Sequence, residues 1–248
     1  MLLNPKYEHL RTFIGQIPDV FEQEGTYIYG GRRNLIKSFH APDGTILNVK
    51  RFQQPRLFNR LVYSLGLRRP KGLRAWLYPQ RLQERGIETP EPVAYIEERR
   101  CGLLGLSFFI SIQCPYERRL YEFGDALPGT YEEMAEALGG LAARMHNAGV
   151  LHRDFSPGNV LWMRDEAGFH FSLVDINRMR FGAVSCRMGC RNFSRLWGPL
   201  RFFQLMARAY ARQRGFDEQQ CEQWVLSERA AFWRKYVRKH GEKFRLEL

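Results

Sequence analysis

His152, Arg153 and Asp154 stand together, and Asn159 follows five residues after the aspartate. Between them Ser156-Pro157-Gly158 forces a turn. Thr130 to Met145, upstream, has helical apolar spacing, and Val160 to Met163, downstream, reads as a short buried strand. An aspartate and an asparagine on one tight loop between rigid elements suit phosphoryl transfer. The carboxylate can accept or orient the proton of an attacking hydroxyl, and the amide oxygen can hold a metal. A metal site there needs a second carboxylate. Phe171-Ser-Leu-Val174 is an apolar strand ending at Asp175, and Asp165-Glu-Ala-Gly168 supplies the hairpin turn before it. A lone His-x-Asp is usually a turn beside a capped helix end. Three features in order, with the right strand between them, weigh against that reading here.

The elements that must position these residues are legible along the chain. Residues 7–23 read as a helix with Tyr7, Leu10, Phe13, Ile14, Ile17 and Phe21 on one stripe, a cover for the first half. Three strands follow, at 25–29, 35–39 and 45–50, with Gly30-Gly31 between the first two and Asp43-Gly44 between the last two. A glycine turn of this kind can cradle phosphates with backbone N–H groups, although most Gly-Gly pairs are simple turns. Residues 51–70 carry Arg51, Arg56, Arg60, Arg68 and Arg69 with apolar residues between them. Residues 74–85 read as a helix containing Pro79, and 93–97 and 106–112 as paired strands. Gln113-Cys114-Pro115 then leaves the sheet, where backbone groups can meet an adenine ring. Thr130-x-x-Glu133 has the form of a capping box opening the next helix.

After Asp175, Arg178, Arg180, Arg187, Arg191, Arg195 and Arg201 crowd one stretch. Arginine presents a planar fork suited to carboxylates and phosphates, so Arg178 and Arg180, nearest the aspartate, are candidates to face substrate. Helices are expected at 196–214 and 217–239. The last is amphipathic and basic, which suits either a packed terminal helix with a wet outer face or docking at an anionic membrane.

Composition narrows the partners. A net charge of +12 on 248 residues calls for an anionic partner. The basic residues are dispersed and no nucleic-acid recognition motif occurs, which argues against nucleic acid. Five cysteines at irregular spacing point to a reducing compartment. Cys186 and Cys190 have metal-ligand spacing, but no second Cys or His pair lies at a matching distance, so no zinc site is expected from them. The first residues show no signal-peptide pattern and the longest apolar run, 102–112, is too short to span a bilayer. A cytoplasmic protein is expected.

The combination of His152-Arg-Asp-Phe-Ser-Pro-Gly-Asn159, Val174-Asp-Ile-Asn177, Lys50 and Leu82-Gln-Glu-Arg-Gly-Ile-Glu-Thr-Pro-Glu-Pro-Val-Ala94 resembles the lipopolysaccharide core sugar kinases of Kdo/heptose type, within the protein-kinase-like superfamily. The likeness runs over about residues 25–200. It implies an α+β, two-lobe protein-kinase-like fold. A small antiparallel β-rich N-lobe would span 1–113 and a mostly helical C-lobe 114–248. It implies ATP and Mg²⁺ as cofactors, with Asp154 as the catalytic carboxylate and Asn159 and Asp175 as metal ligands. Lys50, Gly30 and Gly31 would hold phosphates, and Gln113 and Cys114 the adenine. The acceptor would be an anionic, lipid-linked inner-core sugar, met at the cytoplasmic face of a bacterial inner membrane with peripheral membrane contact. The oligomeric state is left open.

The chain departs from the superfamily at three points. Asp175 is followed by Ile-Asn rather than Phe-Gly, no Ala-Pro-Glu triplet follows, and the helix expected to give Lys50 an acidic partner has none from Leu73 to Arg81, Glu84 being nearest. The competing readings are a nucleotide-binding pseudokinase, and a kinase acting on another small molecule or on protein. Lys37 is the competing phosphate lysine.

Overall fold

The strand patterns of the first half close into one antiparallel sheet in the computed structural model, which describes residues 1–30, 34–241 and 246–247. In chain order its elements are β1 (Leu2–Leu3), α1 (Arg11–Val20), β2 (Thr26–Gly30), β3 (Asn34–His40), β4 (Ile46–Phe52), α2 (Leu57–Ser64), α3 (Lys71–Gln83), β5 (Pro92–Arg100) and β6 (Leu103–Ile112). The strands lie in the order β1-β5-β6-β4-β3-β2. Leu47 and Val49 of β4 join Phe108 and Ile110 of β6 in a core completed by Ile14 and Ile17 of α1 and by Phe21. Each such side chain contributes roughly 1.5–3 kcal/mol by leaving water. Alternation along β4 therefore turns Asn48 and Lys50 to the opposite face.

That opposite face is lined up by register. Lys50 stands across from Phe109 of β6, and Phe109 across from Tyr95 of β5. α3 packs on the same face: a Cβ at Gly72 would lie 2.6 Å from the Tyr95 ring, so only glycine lets the helix approach this closely. Pro79 sits inside α3 without ending it. The N-terminal helix is shorter than its apolar stripe suggests, because Pro5–Leu10 forms a 3₁₀ stretch and only Arg11–Val20 is α-helical. α2 has no counterpart in the sequence reading of residues 51–70. It is held to β6 by Arg60 Nε donating to the Leu104 carbonyl at 2.7 Å and by the Leu104 N–H donating to Ser64 Oγ at 2.9 Å.

Residues Met1–Gln83 and Thr89–Pro115 form one compact unit, and Glu84–Glu88 with Tyr116–Leu248 a second. The segment 84–88 thus goes with the second half of the chain, joined there by the Leu173 N–H donating to the Glu88 carbonyl at 3.0 Å. The second unit contains β7 (Arg118–Arg119), α4 (Glu132–Asn147), β8 (Val150–His152), β9 (Val160–Asp165), β10 (Gly168–Leu173), β11 (Met179–Phe181), α5 (Cys186–Asn192), α6 (Leu200–Arg214) and α7 (Glu218–His240). β10, β9 and β7 form one small sheet, and β11 pairs with β8.

Two expectations change here. The capping box at Thr130 does not form, because α4 starts later, with Tyr131 at the cap position and no side-chain cap. Thr130 Oγ1 donates back to the Leu127 carbonyl, while Glu132 accepts from the Gly129 and Tyr131 N–H groups. The helix expected over 196–214 begins only at Leu200, since Gly198 and Pro199 interrupt the run. α7 packs as a terminal helix: Trp233 is buried and donates Nε1–H to the Leu196 carbonyl at 2.9 Å. Among the described residues no helix is long and apolar enough to cross a membrane.

Candidate active site

One buried imidazole ties the backbone at Asp154 to that of Val174, the residue before Asp175. His152 ends β8 and is fully buried. Its Nδ1 accepts the Asp154 N–H at 3.1 Å, and its Nε2–H donates to the Val174 carbonyl at 3.0 Å. Burial holds its pKa below the ordinary histidine range, so it is a neutral strut with both nitrogens occupied. The loop is then closed on itself. Asn159 Nδ2 donates to the Asp154 carbonyl at 2.9 Å, and the Val174 N–H donates to the Asn159 carbonyl at 3.1 Å. Asp154, Asn159 and Val174, the residue before Asp175, are thus tied by hydrogen bonds to backbone groups, two from the His152 ring, one from the Asn159 amide and one between backbones.

The side-chain oxygens of this loop are of the kind a hard cation takes. With its nitrogen on the Asp154 backbone, Asn159 presents Oδ1 as an acceptor. Asp175 stands at φ 54°, a left-handed conformation uncommon outside glycine, and its carboxylate accepts from Asn177 Nδ2. The amide oxygen of Asn177, Oδ1, is buried without a hydrogen-bond partner. A buried unpaired oxygen is costly unless a cation or water completes it. The donor set is all oxygen, as Mg²⁺ prefers.

Arginines surround the aspartate. Arg195 Nη1 donates to Asp154 Oδ1 at 2.9 Å, and Arg178 Nη1 lies 3.7 Å from Oδ2. Arg180 instead turns its guanidinium to the Met188 sulfur, 2.8 Å away. Arg187 and Arg191 face Glu228 at 3.8 and 3.6 Å. Spacing alone could not separate Arg195 from the other arginines of its stretch. Its place follows from the short 3₁₀ turn Phe193–Arg195 after α5.

A second buried histidine fixes the loop from behind. His146 of α4 pairs through Nδ1 with the Tyr210 hydroxyl at 3.0 Å and through Nε2 with Asn192 Oδ1 at 3.1 Å. Asn192 Nδ2 then donates to the His152 carbonyl at 2.9 Å. Burial pushes His146 down to about 4, with the nearby Arg214 guanidinium adding to it. No motif in the sequence marked His146, Asn192 or Tyr210, because the relay joins residues far apart in the chain.

In the first unit the sheet places the other predicted residues. Lys50 projects from β4 with its ammonium 5.3 Å from the Phe52 ring centre. Lys37 does other work: its Nζ donates to the Phe21, Glu22 and Glu24 carbonyls at 2.7, 3.1 and 2.8 Å, closing the turn after α1. α3 carries no acidic residue, and Glu84 lies 3.7 Å from Arg85 within the second unit. The carboxylate on the Tyr95 side of the sheet is Glu97 of β5, which accepts from the Tyr95 hydroxyl and from Arg99 Nε at 2.7 Å each. Gly30 ends β2 at φ 117°, where a Cβ would collide with the Asn34 carbonyl. Gly31 lies outside the described residues. Gln113 spends its N–H on the Ile46 carbonyl at 2.9 Å and its side-chain oxygen on Asn48 at 2.8 Å, and Cys114 beside it is buried.

A mixed α/β chain with an antiparallel sheet, many helices and a loop of this kind has close architectural relatives. It is similar to the solved structure of WaaP in complex with acyl carrier protein, with a TM-score of 0.61 and 19% identity over 97% of this chain and 98% of that one. The model of the lipopolysaccharide kinase (Kdo/WaaP) family matches residues 29–227. The chain belongs to that family, and the family implies a phosphotransferase that uses ATP. No curated protein sequence matches it.

Proposed function

We propose that this chain is a two-lobe, protein-kinase-like enzyme that moves the terminal phosphoryl group of ATP to a hydroxyl of a lipopolysaccharide inner-core sugar, of Kdo or heptose type. The observation that carries the reading is the buried His152, which holds the backbone at Asp154 and at Val174 on its two nitrogens. Asp154 orients the acceptor hydroxyl and takes its proton. Asn159 and Asp175 would hold Mg²⁺, and the buried, unpartnered Oδ1 of Asn177 is a further oxygen close by in sequence. When bound, the ion neutralises phosphate charge as it develops. Lys50 and the Gly30 turn hold ATP phosphates, and the Gln113–Cys114 backbone borders the adenine. Gln113 has already spent its N–H within the sheet, so on its own backbone the carbonyl is the group for that role.

Arg195 and Arg178 give the substrate side its sign. Their contacts with Asp154 in this structure keep two fixed positive charges beside the carboxylate that meets the acceptor. An acceptor bearing carboxylate or phosphate is drawn to that place, and a neutral sugar is not. The Kdo and heptose readings differ in which anionic group these arginines meet.

The reading also places the enzyme at the inner face of a bacterial inner membrane, in peripheral contact with it. Support comes from α2 and the turn after it rather than from α7. Leu57, Phe58, Leu65 and Leu67 are each about 70–77% exposed, and Arg56, Arg68 and Arg69 flank them. Exposed apolar residues rimmed by arginine match an anionic bilayer surface. A carrier protein, of the kind named with the WaaP structure, is the rival occupant. Flotation of the purified chain with anionic vesicles separates the two. Replacing Leu57, Phe58 and Leu61 together by serine is expected to reduce vesicle binding about tenfold; unchanged binding would remove the membrane assignment.

The deciding test is transfer of labelled phosphate from ATP to lipopolysaccharide whose core lacks phosphate. Transfer to Kdo-terminated or heptose-bearing core is the expected result and names the sugar. A chain that nucleotide stabilises against heat, yet that labels no lipopolysaccharide acceptor, protein or small sugar, is a pseudokinase.

A further inference from the structure

Cys186 and Cys190 lie four residues apart on α5, which puts both on one face of the helix. The sequence offers them no neighbouring Cys or His pair, but the fold brings in Cys221 from the first turn of α7. The three sulfurs all lie within 4.8 Å of one another, and Cys186 Sγ is 3.3 Å from Cys221 Sγ. Cys190 and Cys221 are fully buried, and Cys186 is half-buried at the rim. Three thiolates around one ion at about 2.3 Å stand about 3.7–4.0 Å from each other, so the cluster is already close to a coordinating arrangement. We propose that Cys186, Cys190 and Cys221 form a three-thiolate site for a soft divalent cation of the zinc class, with the rim beside Cys186 open to a water as fourth ligand.

The geometry of the pocket suits such an ion: three sulfurs from two helices already converge within 4.8 Å, two of them fully buried. One ion binding three thiols forms three metal–sulfur bonds and releases three protons to the buffer. The consequence for the fold is a clamp. α5 leads through Asn192 to the His152 carbonyl, and through the turn after it to Arg195 on Asp154. An ion shared by α5 and α7 fixes the segment that positions the loop. This proposal does not depend on which sugar the enzyme phosphorylates, or on whether it phosphorylates one.

The test uses the full chain, reduced and stripped with chelator, then titrated with Cd²⁺ alone. A sulfur-to-cadmium charge-transfer band saturating at one equivalent is expected, with three protons released per ion and a rise in melting temperature. Cys186→Ser and Cys221→Ser should each weaken binding by at least about 100-fold. Cys101→Ser, an exposed cysteine, should leave it unchanged. Cys186 is half-buried, so its serine variant should remain folded if Cys221→Ser does not. The proposal is overturned if no band forms at one equivalent, or if it survives in the Cys186 variant. It is equally overturned if chain isolated without reductant carries no metal and is two hydrogens lighter, the mark of a Cys186–Cys221 disulfide.

Discussion

The loop that carries Asp154 and the sheet that carries Lys50 are built on different plans. Around Asp154 the loop is fixed from behind: His152 holds the backbones of Asp154 and Val174, Asn159 holds that of Asp154 a second time, and His146 with Asn192 anchors the whole through a buried relay. Around Lys50 the sheet sets the backbone position through strand register, opposite Ile36 and Phe109, on a face where α3 offers no carboxylate. On the proposed function the two regions have different tasks. Asp154, as proton acceptor, must be held to a fraction of an ångström, which dense buried support provides. Lys50, as a phosphate-binding point charge, is placed by the strand that carries it.

The sharpest way to break that contrast is Asp154→Asn, expected to lower kcat by about 10³-fold while ATP still raises the melting temperature. Near-normal turnover would falsify the role of the loop. Next comes the support behind it. His146 is neutral in the folded chain down to about pH 4, whereas unfolded histidine takes a proton near 6.5. Its contribution is therefore fully present above pH 6.5 and is lost as pH falls from 6.5 to 4, about 3 kcal/mol in all. The melting temperature of the parent chain should fall across that window, and His146→Gln should flatten the decline. Equal slopes for both proteins would rule the relay out as the source. His152 titrates in the same sense and leaves a residual slope in the variant.

Lys50→Met probes the sheet side. It is expected to lower kcat/KM for ATP by about 100-fold, and Glu97→Gln by less than tenfold, since Tyr95 and Arg99 already engage that carboxylate. Equal losses would show that Glu97 has taken over the task of the missing helix carboxylate. The smallest effect is expected at Arg195→Lys, where a point charge replaces a fork. KM for the lipopolysaccharide acceptor should rise about tenfold with KM for ATP unchanged. A change confined to ATP would move Arg195 to the nucleotide side.

Much of this was legible because it is local. The order Asp154, turn, Asn159, strand, hairpin, Asp175 needs only short-range geometry, and the strands at 45–50 and 106–112 show in their runs of β-forming residues. Lys37 was a genuine rival until its ammonium was found on three carbonyls after α1. α2 escaped detection because its eight residues, Leu57–Ser64, carry too few turns for a clear period, and because its leucines and Phe58 face outward rather than to a core. The Thr130 box failed for a local reason as well: the Gly129 and Tyr131 amides found Glu132 first.

The amino-acid order by itself determined the class of chemistry, the elements and the excess of positive charge, since these rest on neighbours within a few turns or strands. Tertiary structure alone decided which arginine meets Asp154, what stands behind His152, and that Cys221 joins two cysteines over thirty residues away. The reason is one of range. Backbone preferences act between adjacent residues, whereas a partner for a buried polar atom or thiol is chosen by packing, which pays no regard to distance along the chain.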